Sequence, residues 1–441
     1  MSATAHPEPA PNLREPGRWR RYAVTAGFLA PAAVLLGVWV VYPTIYTAWR
    51  SLYDGSGDNF VWFDNYKTIF TTDILLTAVK NNALWVAVVP AFVTAIGLIF
   101  GVLTEKISWS VAFKTAVFMP MAISLFAAGV IWRIMDQKEP ERGTVNAMIG
   151  VVADWANPPG PLPTAFAASP SLTGSDSVGF TLRRPVAPGG TALMPLTGIP
   201  PEDVPPGAEQ AVQPEPRAGG ITGVVWRDFK PGGGTIGKVE PEELGLPGVT
   251  VELLDSGGKQ VGSTTTADDG TFAFDNLEAG AYRPKIGAAT FQAPFNGIAW
   301  LGPSLITPAA MIAYIWVWAG FAMVVIAAGL AAIPRDTLEA ARTDGATEWQ
   351  VFRRVTVPLL APVLSVVFIT MLINVLKVFD IILSVAPGSV QDDANVIALA
   401  MWRTSFGGVN DFGLGSAIAV FLFLLVIPIL LLNVRRFRRE V

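Results

Sequence analysis

Few side chains in this sequence could carry covalent chemistry. Its one histidine, His6, lies in a proline-rich tail, and there is no cysteine. That leaves the body of the chain without the usual general base, and it rules out disulfides, zinc–thiolate sites and iron–sulfur clusters. One run, Gly232 to Lys238, spells G-x-x-x-x-G-K, most of a phosphate-binding loop. Val239 stands where a Ser or Thr would hold magnesium, and no helical pattern follows, so a glycine-rich turn between strands explains it better. The polar groups of most interest sit inside apolar runs, where they are costly and normally face a cavity or a partner. Asn374, Lys377 and Asp380 recur at i, i+3 and i+6, roughly along one helix face. The chemistry on offer is non-covalent, and no catalytic residue is expected.

The segment from Ile333 to Pro362 is the most specific in the chain. Asp336-Thr337-Leu338-Glu339 and Thr347-Glu348-Trp349-Gln350 both have capping-box spacing, with Asp344-Gly345 between them. The pattern predicts two short helices joined at a glycine able to take the left-handed conformation that a tight helix end requires. Ala340, Ala341 and Ala346 are small enough for another protein to approach the backbone closely. The second helix is expected to end near Pro358, which would start the next helix where its missing N–H costs nothing.

These residues are carried by membrane helices. Of 441 residues, 51% are hydrophobic and 15% charged, against about 25% charged in average soluble domains. The excess falls into runs of the ~20 residues needed to cross ~30 Å of hydrocarbon. Helices are expected near 22–48, 82–104, 111–134, 306–329, 358–384 and 414–434. The first, from Val24 to Val41, is longer than a secretory apolar core and runs on through Tyr42-Pro43 without a cleavage site, so it reads as a retained span. With the amino terminus inside, fourteen basic residues face the cytoplasm: Arg14, Arg18, Arg20, Arg21, Lys106, Lys114, Arg335, Arg342, Arg353, Arg354, Arg435, Arg436, Arg438 and Arg439. The two short outer loops hold four, Arg50, Lys67, Lys80 and Arg403. The asymmetry places both termini inside and residues 135–305 outside. A net charge of −4 gives no reason to expect nucleic-acid binding.

The outer insertion has two parts. Residues 157–217 hold fourteen of the 35 prolines, with much Gly, Ser and Ala; they are expected to be extended or disordered, within a Pro-rich outer linker over 135–218. From Gly219 the pattern turns to short strands: 221–226, 249–253, 260–264 and 271–274. The turns Ser256-Gly257-Gly258 and Asp268-Asp269-Gly270 separate them. Residues 219–290 therefore predict a small β-sandwich. The runs Gly245-Leu246-Pro247-Gly248-Val249-Thr250-Val251, Asp269-Gly270-Thr271-Phe272-Ala273-Phe274 and Leu277-Glu278-Ala279-Gly280-Ala281-Tyr282 resemble the repeated modules of bacterial surface adhesins. They are also similar to the carboxypeptidase-regulatory-like type. The resemblance implies a fold and no activity. Some such modules bind calcium through an Asp-rich loop, but here Phe229-Lys230-Pro231-Gly232 follows Asp228 and is short of oxygen ligands. No metal site is expected.

Glu339-Ala340-Ala341, Gly345 after three residues, and Val355-Thr356-Val357-Pro358 after nine resemble the E-A-A-x3-G-x9-I-x-L-P signature of binding-protein-dependent ABC importer permeases, with Val for Ile and Leu. Phe118-Met119-Pro120, Val375-Leu376-Lys377-Val378-Phe379-Asp380, Asp411-Phe412-Gly413 and the ending Asn433-Val434-Arg435-Arg436 extend the likeness to the α-glucoside permeases of the maltose-type class. The family normally has a short outer loop near Gly143-Thr144-Val145-Asn146, which the 157–290 insertion interrupts.

The resemblance implies an all-α polytopic fold of the type I ABC importer kind, with six transmembrane helices and an inserted extracellular β-sandwich. The order is a cytoplasmic tail (1–21), helices 1–3 (22–134), linker and module (135–218, 219–290), helix 4 (291–329), a cytoplasmic coupling loop (330–357), and helices 5–6 with a basic end (358–441). It further implies a multi-pass protein of a bacterial plasma membrane. The implied partners are a second permease subunit, two ATPase subunits or domains that bind the ATP and magnesium, an extracellular sugar-binding lipoprotein, and membrane lipid. Glu339, Ala340, Ala341, Asp344, Gly345 and Ala346 would dock on the ATPase. Asn374 would then lie on the path of an α-glucoside or related sugar, since an amide hydrogen-bonds hydroxyls without needing a counter-charge. Lys377 and Asp380 fit either that path or a mutually neutralising pair at the interface. Tyr314, Trp316 and Trp318 could stack on pyranose rings or anchor the outer leaflet. A secondary transporter would need acids at mid-depth and inverted repeats, and the spans show no mid-depth acid. A membrane-anchored adhesin would need one anchor helix, which leaves the other five unexplained.

Overall fold

The computed structural model describes residues 18–105 and 107–440. The tail to residue 17, with His6 and Arg14, and Lys106 and Val441 lie outside them. The chain forms two compact units, one built from residues on either side of an interruption, up to Arg133 and from Leu301, the other Ile134–Trp300.

The first unit is helical. α1 (Arg18–Leu36) passes through a π turn into α2 (Tyr42–Arg50), followed by α3 (Asp64–Thr71), α4 (Asp73–Thr104), α5 (Ser110–Phe118) and α6 (Leu125–Met135). After α7 (Thr144–Ala156), which belongs to the second unit, come α8 (Ile306–Ala331), α9 (Arg335–Thr343), α10 (Glu348–Val351), α11 (Val357–Leu376), α12 (Asp380–Val385), α13 (Ile397–Phe406) and α14 (Phe412–Glu440). Among the described residues, four stretches are each long and apolar enough to cross a membrane: Thr25–Arg50, Asp73–Thr104, Ile306–Ala331 and Glu348–Leu376. The crossing expected at 111–134 is a pair of helices, Ser110–Ala122 and Leu125–Met135, bent by 103°. The bend follows Pro120, which cannot donate a backbone bond, and Ser124 caps the new helix by accepting from Ala127 N. The last expected span is α14, apolar over Phe412–Pro428.

α4, α8 and α11 form the centre. Trp85, Val89 and Val93 pack with Ile306, Ala310, Tyr314 and Ile326, and with Leu360, Val367 and Met371. Small residues set the spacing: a Cβ on Gly97 would stand 2.5 Å from that of Ala322, so α4 and α8 approach backbone to backbone. α8 begins at Ile306, where the fourth span was expected, and residues 291–300 of the segment leading into it belong to the second unit.

The second unit carries two five-stranded sheets. Its strands are β1 (Phe166–Ala167), β2 (Leu172–Ser175), β3 (Gly179–Leu182), β4 (Thr191–Thr197), β5 (Ile221–Arg227), β6 (Leu244–Gly245), β7 (Thr250–Leu254), β8 (Gln260–Thr265), β9 (Thr271–Phe274) and β10 (Arg283–Ile286). One sheet runs β1-β4-β5-β6, with β9 also on β5, and the other β2-β3-β10-β7-β8. β5, β7, β8 and β9 lie where strands were expected. The expected linker is otherwise: β1 to β4 are built from it, and β4 pairs in parallel with β5 over six residues. Composition misled because the prolines and glycines fall mostly in turns, while Leu162, Phe180, Leu182, Met194 and Leu196 are buried in the common core. Pro195 is the exception, a proline inside a strand, its carbonyl accepting from Ala168 N.

Candidate functional site

α9 and α10 form the expected helix pair. Asp344 N donates to Ala340 O (3.0 Å), Gly345 N to Arg342 O (3.0 Å) and Ala346 N to Ala341 O (3.2 Å), which closes the last turn of α9. Gly345 makes this possible at φ +84°, a conformation other residues reach only with strain. Thr347 starts α10 with both bonds of a capping box: Gln350 N donates to Thr347 Oγ1 (3.3 Å), and Thr347 N to Gln350 Oε1 (2.8 Å). The box expected at Asp336 does not form. Pro334 occupies the cap of α9, so Asp336 falls inside the first turn and meets only the helix dipole. Arg342 Nε donates to Glu348 Oε1 (2.7 Å) and its Nη2 to Oε2 (3.3 Å), a bridge across the glycine. That carboxylate pushes the Arg342 pKa further up.

Glu339, Ala340, Asp344 and Gly345 are exposed and Ala341 and Ala346 half-buried. Trp349, 66% exposed, lies tilted against Phe352 with centroids 5.5 Å apart. The second helix does not stop at Pro358: it runs through a π turn, Phe352–Thr356, straight into the span. The widened turn accommodates the absent proline N–H, so α10 and the fifth span form one continuous helical rod.

At the other end of that rod the expectation is corrected. The helix stops at Leu376 and does not reach residue 384. Asn374 is half-buried in its last turn, and its Nδ2 donates to Thr370 O (3.0 Å). Lys377 follows the end at φ −108°, ψ 21°, and Asp380 opens α12. The three side chains belong to one break and not to one helical face; Lys377 and Asp380 are exposed, and no ion pair among the described residues joins them. Tyr314 is 1% exposed and meets Trp85 edge-on at 5.4 Å and Trp318 at 5.9 Å. Trp318 is half-buried, and Trp316 is exposed against Trp132 at 6.0 Å. Only Trp316 has the exposure of an interface residue; Tyr314 is part of the core.

Sequence reasoning missed Asn81 and Asn82, two amides at the head of an apolar run. Asn82 Oδ1 accepts from Ile397 N (2.7 Å) and its Nδ2 donates to Leu376 O (3.4 Å). Asn81 Nδ2 donates to Asp393 O (2.8 Å) and Asn395 O (2.9 Å).

In the second unit, Gly232 to Lys238 is a loop between β5 and β6, with Gly237 N donating to Asp228 Oδ2 (2.7 Å). Among the described residues, no three His, Cys, Asp or Glu side chains gather as a metal site would need.

Apolar helices long enough to cross a bilayer, one of them continuous with the second helix of an exposed helix–glycine–helix loop, define a multi-pass membrane protein of the transporter type. A family model described as "Binding-protein-dependent transport system inner membrane component" matches residues 273–439, and one described as "SdrD B-like domain" matches 219–294. Over 413 residues the chain is 30% identical to the alpha-glucoside transport system permease protein AglF of Rhizobium meliloti, covering 94% of this chain and 82% of that protein. It is 28% identical over 414 residues to the osmoprotective compounds uptake permease protein GgtC of Synechocystis, covering 94% and 98%. A bacterial ABC transporter involved in the import of the acidic polysaccharide alginate shares the fold, with a TM-score of 0.56 at 15% identity over 95% of this chain and 96% of that one. The chain belongs to the inner-membrane permeases of binding-protein-dependent ABC transport systems. It is a transport subunit.

Proposed function

We propose that this chain is one of two membrane-spanning subunits of an ATP-driven importer for α-glucosides or related di- and oligosaccharides. A second permease completes the path, two ATPase subunits or domains bind ATP and magnesium, and an extracellular lipoprotein delivers the sugar. Both termini and the α9–α10 loop face the cytoplasm, and the β-sandwich faces outward.

The observation that carries this reading is the α9–Gly345–α10 loop. It presents small residues and an exposed indole, is pinned by a capping box and an arginine–carboxylate bridge, and continues without a joint into a membrane span. Glu339, Ala340, Ala341, Asp344, Gly345 and Ala346 seat in the ATPase. When ATP draws the ATPases together, the rod formed by α10 and α11 moves as a body and the path changes the side to which it opens. Sugar passes Asn374, with Lys377 beside it at the outer end. The relative named for α-glucosides supports that substrate class.

Proteoliposomes holding both permeases, the ATPase and the binding protein test the reading. Labelled α-linked disaccharide should accumulate with ATP inside and the binding protein outside. Uptake driven by a proton or sodium gradient without ATP would overturn it.

A further inference from the structure

The fifth span breaks at Leu376 with no proline or glycine at the break; the residues there read Val375-Leu376-Lys377-Val378-Phe379-Asp380. Leu376 is 4% exposed, so the helix ends inside the packed protein and away from solvent. A helix ending there leaves carbonyls without donors, which an apolar medium tolerates only where protein or a polar cavity satisfies them. Something outside the segment must hold the break.

That group is Asn82. It is 2% exposed, and its one amide serves two helix ends. The Nδ2 donates to the freed carbonyl of Leu376, and the Oδ1 takes the N–H of Ile397, which the start of α13 leaves without a helical partner. Asn81, beside it on α4, bonds the carbonyls of Asp393 and Asn395 and steadies the strand of chain leading into Ile397. The two asparagines tie the end of α11 and the start of α13 to one helix. Asn374 lies just before the break and Lys377 immediately after it.

We infer that Asn82, supported by Asn81, is a positioning residue for transport: it fixes where the fifth span breaks and so holds Asn374 and Lys377 where sugar meets them. This rests on the reading that Asn374 lines the sugar path. Asn82→Asp keeps the size and the acceptor for Ile397 N but sets a carboxylate oxygen against Leu376 O. It should raise the sugar concentration for half-maximal uptake roughly tenfold, the scale of a lost buried hydrogen bond with an acceptor left unpaired. Maximal uptake and recovery of the ATPase with the complex should hold within twofold. Asn374→Leu should raise the same concentration, and the double variant should fall well short of the product of the two effects, because both act through one contact.

The chain has no cysteine, so Lys377→Cys carries a unique nitroxide label. Its spectrum should become more mobile in the Asn82→Asp or Asn81→Ala background, and this reads out even where uptake is lost. If Asn374→Leu raises the half-saturating concentration while Asn82→Asp leaves both it and the label unchanged, the clamp is wrong and the path reading stands. If Asn82→Asp raises it and Asn374→Leu does not, the path reading fails and this inference fails with it. Multiplicative effects in the double variant, or an Asn82→Asp loss confined to maximal rate, would also overturn it.

Discussion

Gly345 is the position where the coupling reading is most exposed to test. Its φ of +84° is left-handed, and a Cβ built there meets nothing within 4 Å. Within this chain any effect of substitution is therefore conformational, with no steric component. For alanine the left-handed region costs about 1–2 kcal/mol, whereas asparagine reaches it at little cost. Since about 1.4 kcal/mol is a factor of ten in an equilibrium, Gly345→Ala should cut the population of the loop shape seen here about tenfold. The apparent affinity for the ATPase falls in proportion to that population. Gly345→Asn should stay within about twofold of the parent on the same scale. Gly345→Pro fixes φ near −65° and removes the N–H that bonds Arg342 O; the loop cannot form and uptake should vanish, while the protein still inserts. The assay is titration of the permease pair in nanodiscs with ATPase subunit, read as ATP hydrolysis, alongside cellular uptake. An asparagine variant as defective as proline would refute the argument, because size and not backbone shape would then decide. So would alanine and proline variants that both couple normally.

Three further outcomes concern the β-sandwich. Burial raises the pKa of Glu243, partly offset by the N–H of Glu240 and reinforced by nearby Asp228. A carboxyl whose folded pKa is raised holds its proton more tightly folded than unfolded, so its stabilising effect is present in acid and lost as pH rises through the raised value. Pulse proteolysis should therefore find the module less stable at pH 8 than at pH 5 on this account, and Glu243→Gln should stabilise it at pH 8 but not in acid; an equal effect at both would refute the cause. Arg183 and Arg184 are exposed between β3 and β4. Trypsin added to intact spheroplasts should cut there, and cleavage only in inverted vesicles would reverse the proposed topology. The two ends of the insertion meet, with Gly160 N bonding Gln292 O (2.8 Å) and Gln292 Nε2 bonding Asn157 O (3.3 Å). Replacing residues 158–291 by a Gly-Ser link should leave uptake at a substantial fraction of the parent's; total loss with normal insertion would make the module part of the transport machinery.

What was legible in the sequence divides along a physical line. Local chemistry could be read. Thr347 and Gln350 are three residues apart and do cap α10, and Gly345 does take the left-handed turn. Long apolar runs announced the helices, and short runs bounded by glycine-rich turns announced β5, β7 and β9. What could not be read depends on partners far away in the chain. Asn82 matters because Leu376 lies 294 residues on and Ile397 lies 315 on; nothing beside Asn82 in sequence hints at either. The break at Leu376 was invisible for the same reason, since the segment itself holds neither proline nor glycine and the amide that meets its end sits on α4. Asn146 belongs to this class too. The sequence marks it only as part of a loop, yet it is fully buried, its Nδ2 serving the carbonyls of Gln137, Lys138 and Ile298 and its Oδ1 accepting from Ile298 N and Trp300 Nε1. It binds α7 to the irregular segment that returns from the sandwich. The proline-rich stretch failed in the opposite direction. Its composition argued for disorder, but composition discards order, and Phe180, Leu182, Met194 and Leu196 are spaced so that β3 and β4 bury them against strands supplied by the residues after Gly219. In each miss a single buried polar or apolar group answers to a distant segment, so a buried asparagine at the head of an apolar run is the mark to look for in related chains.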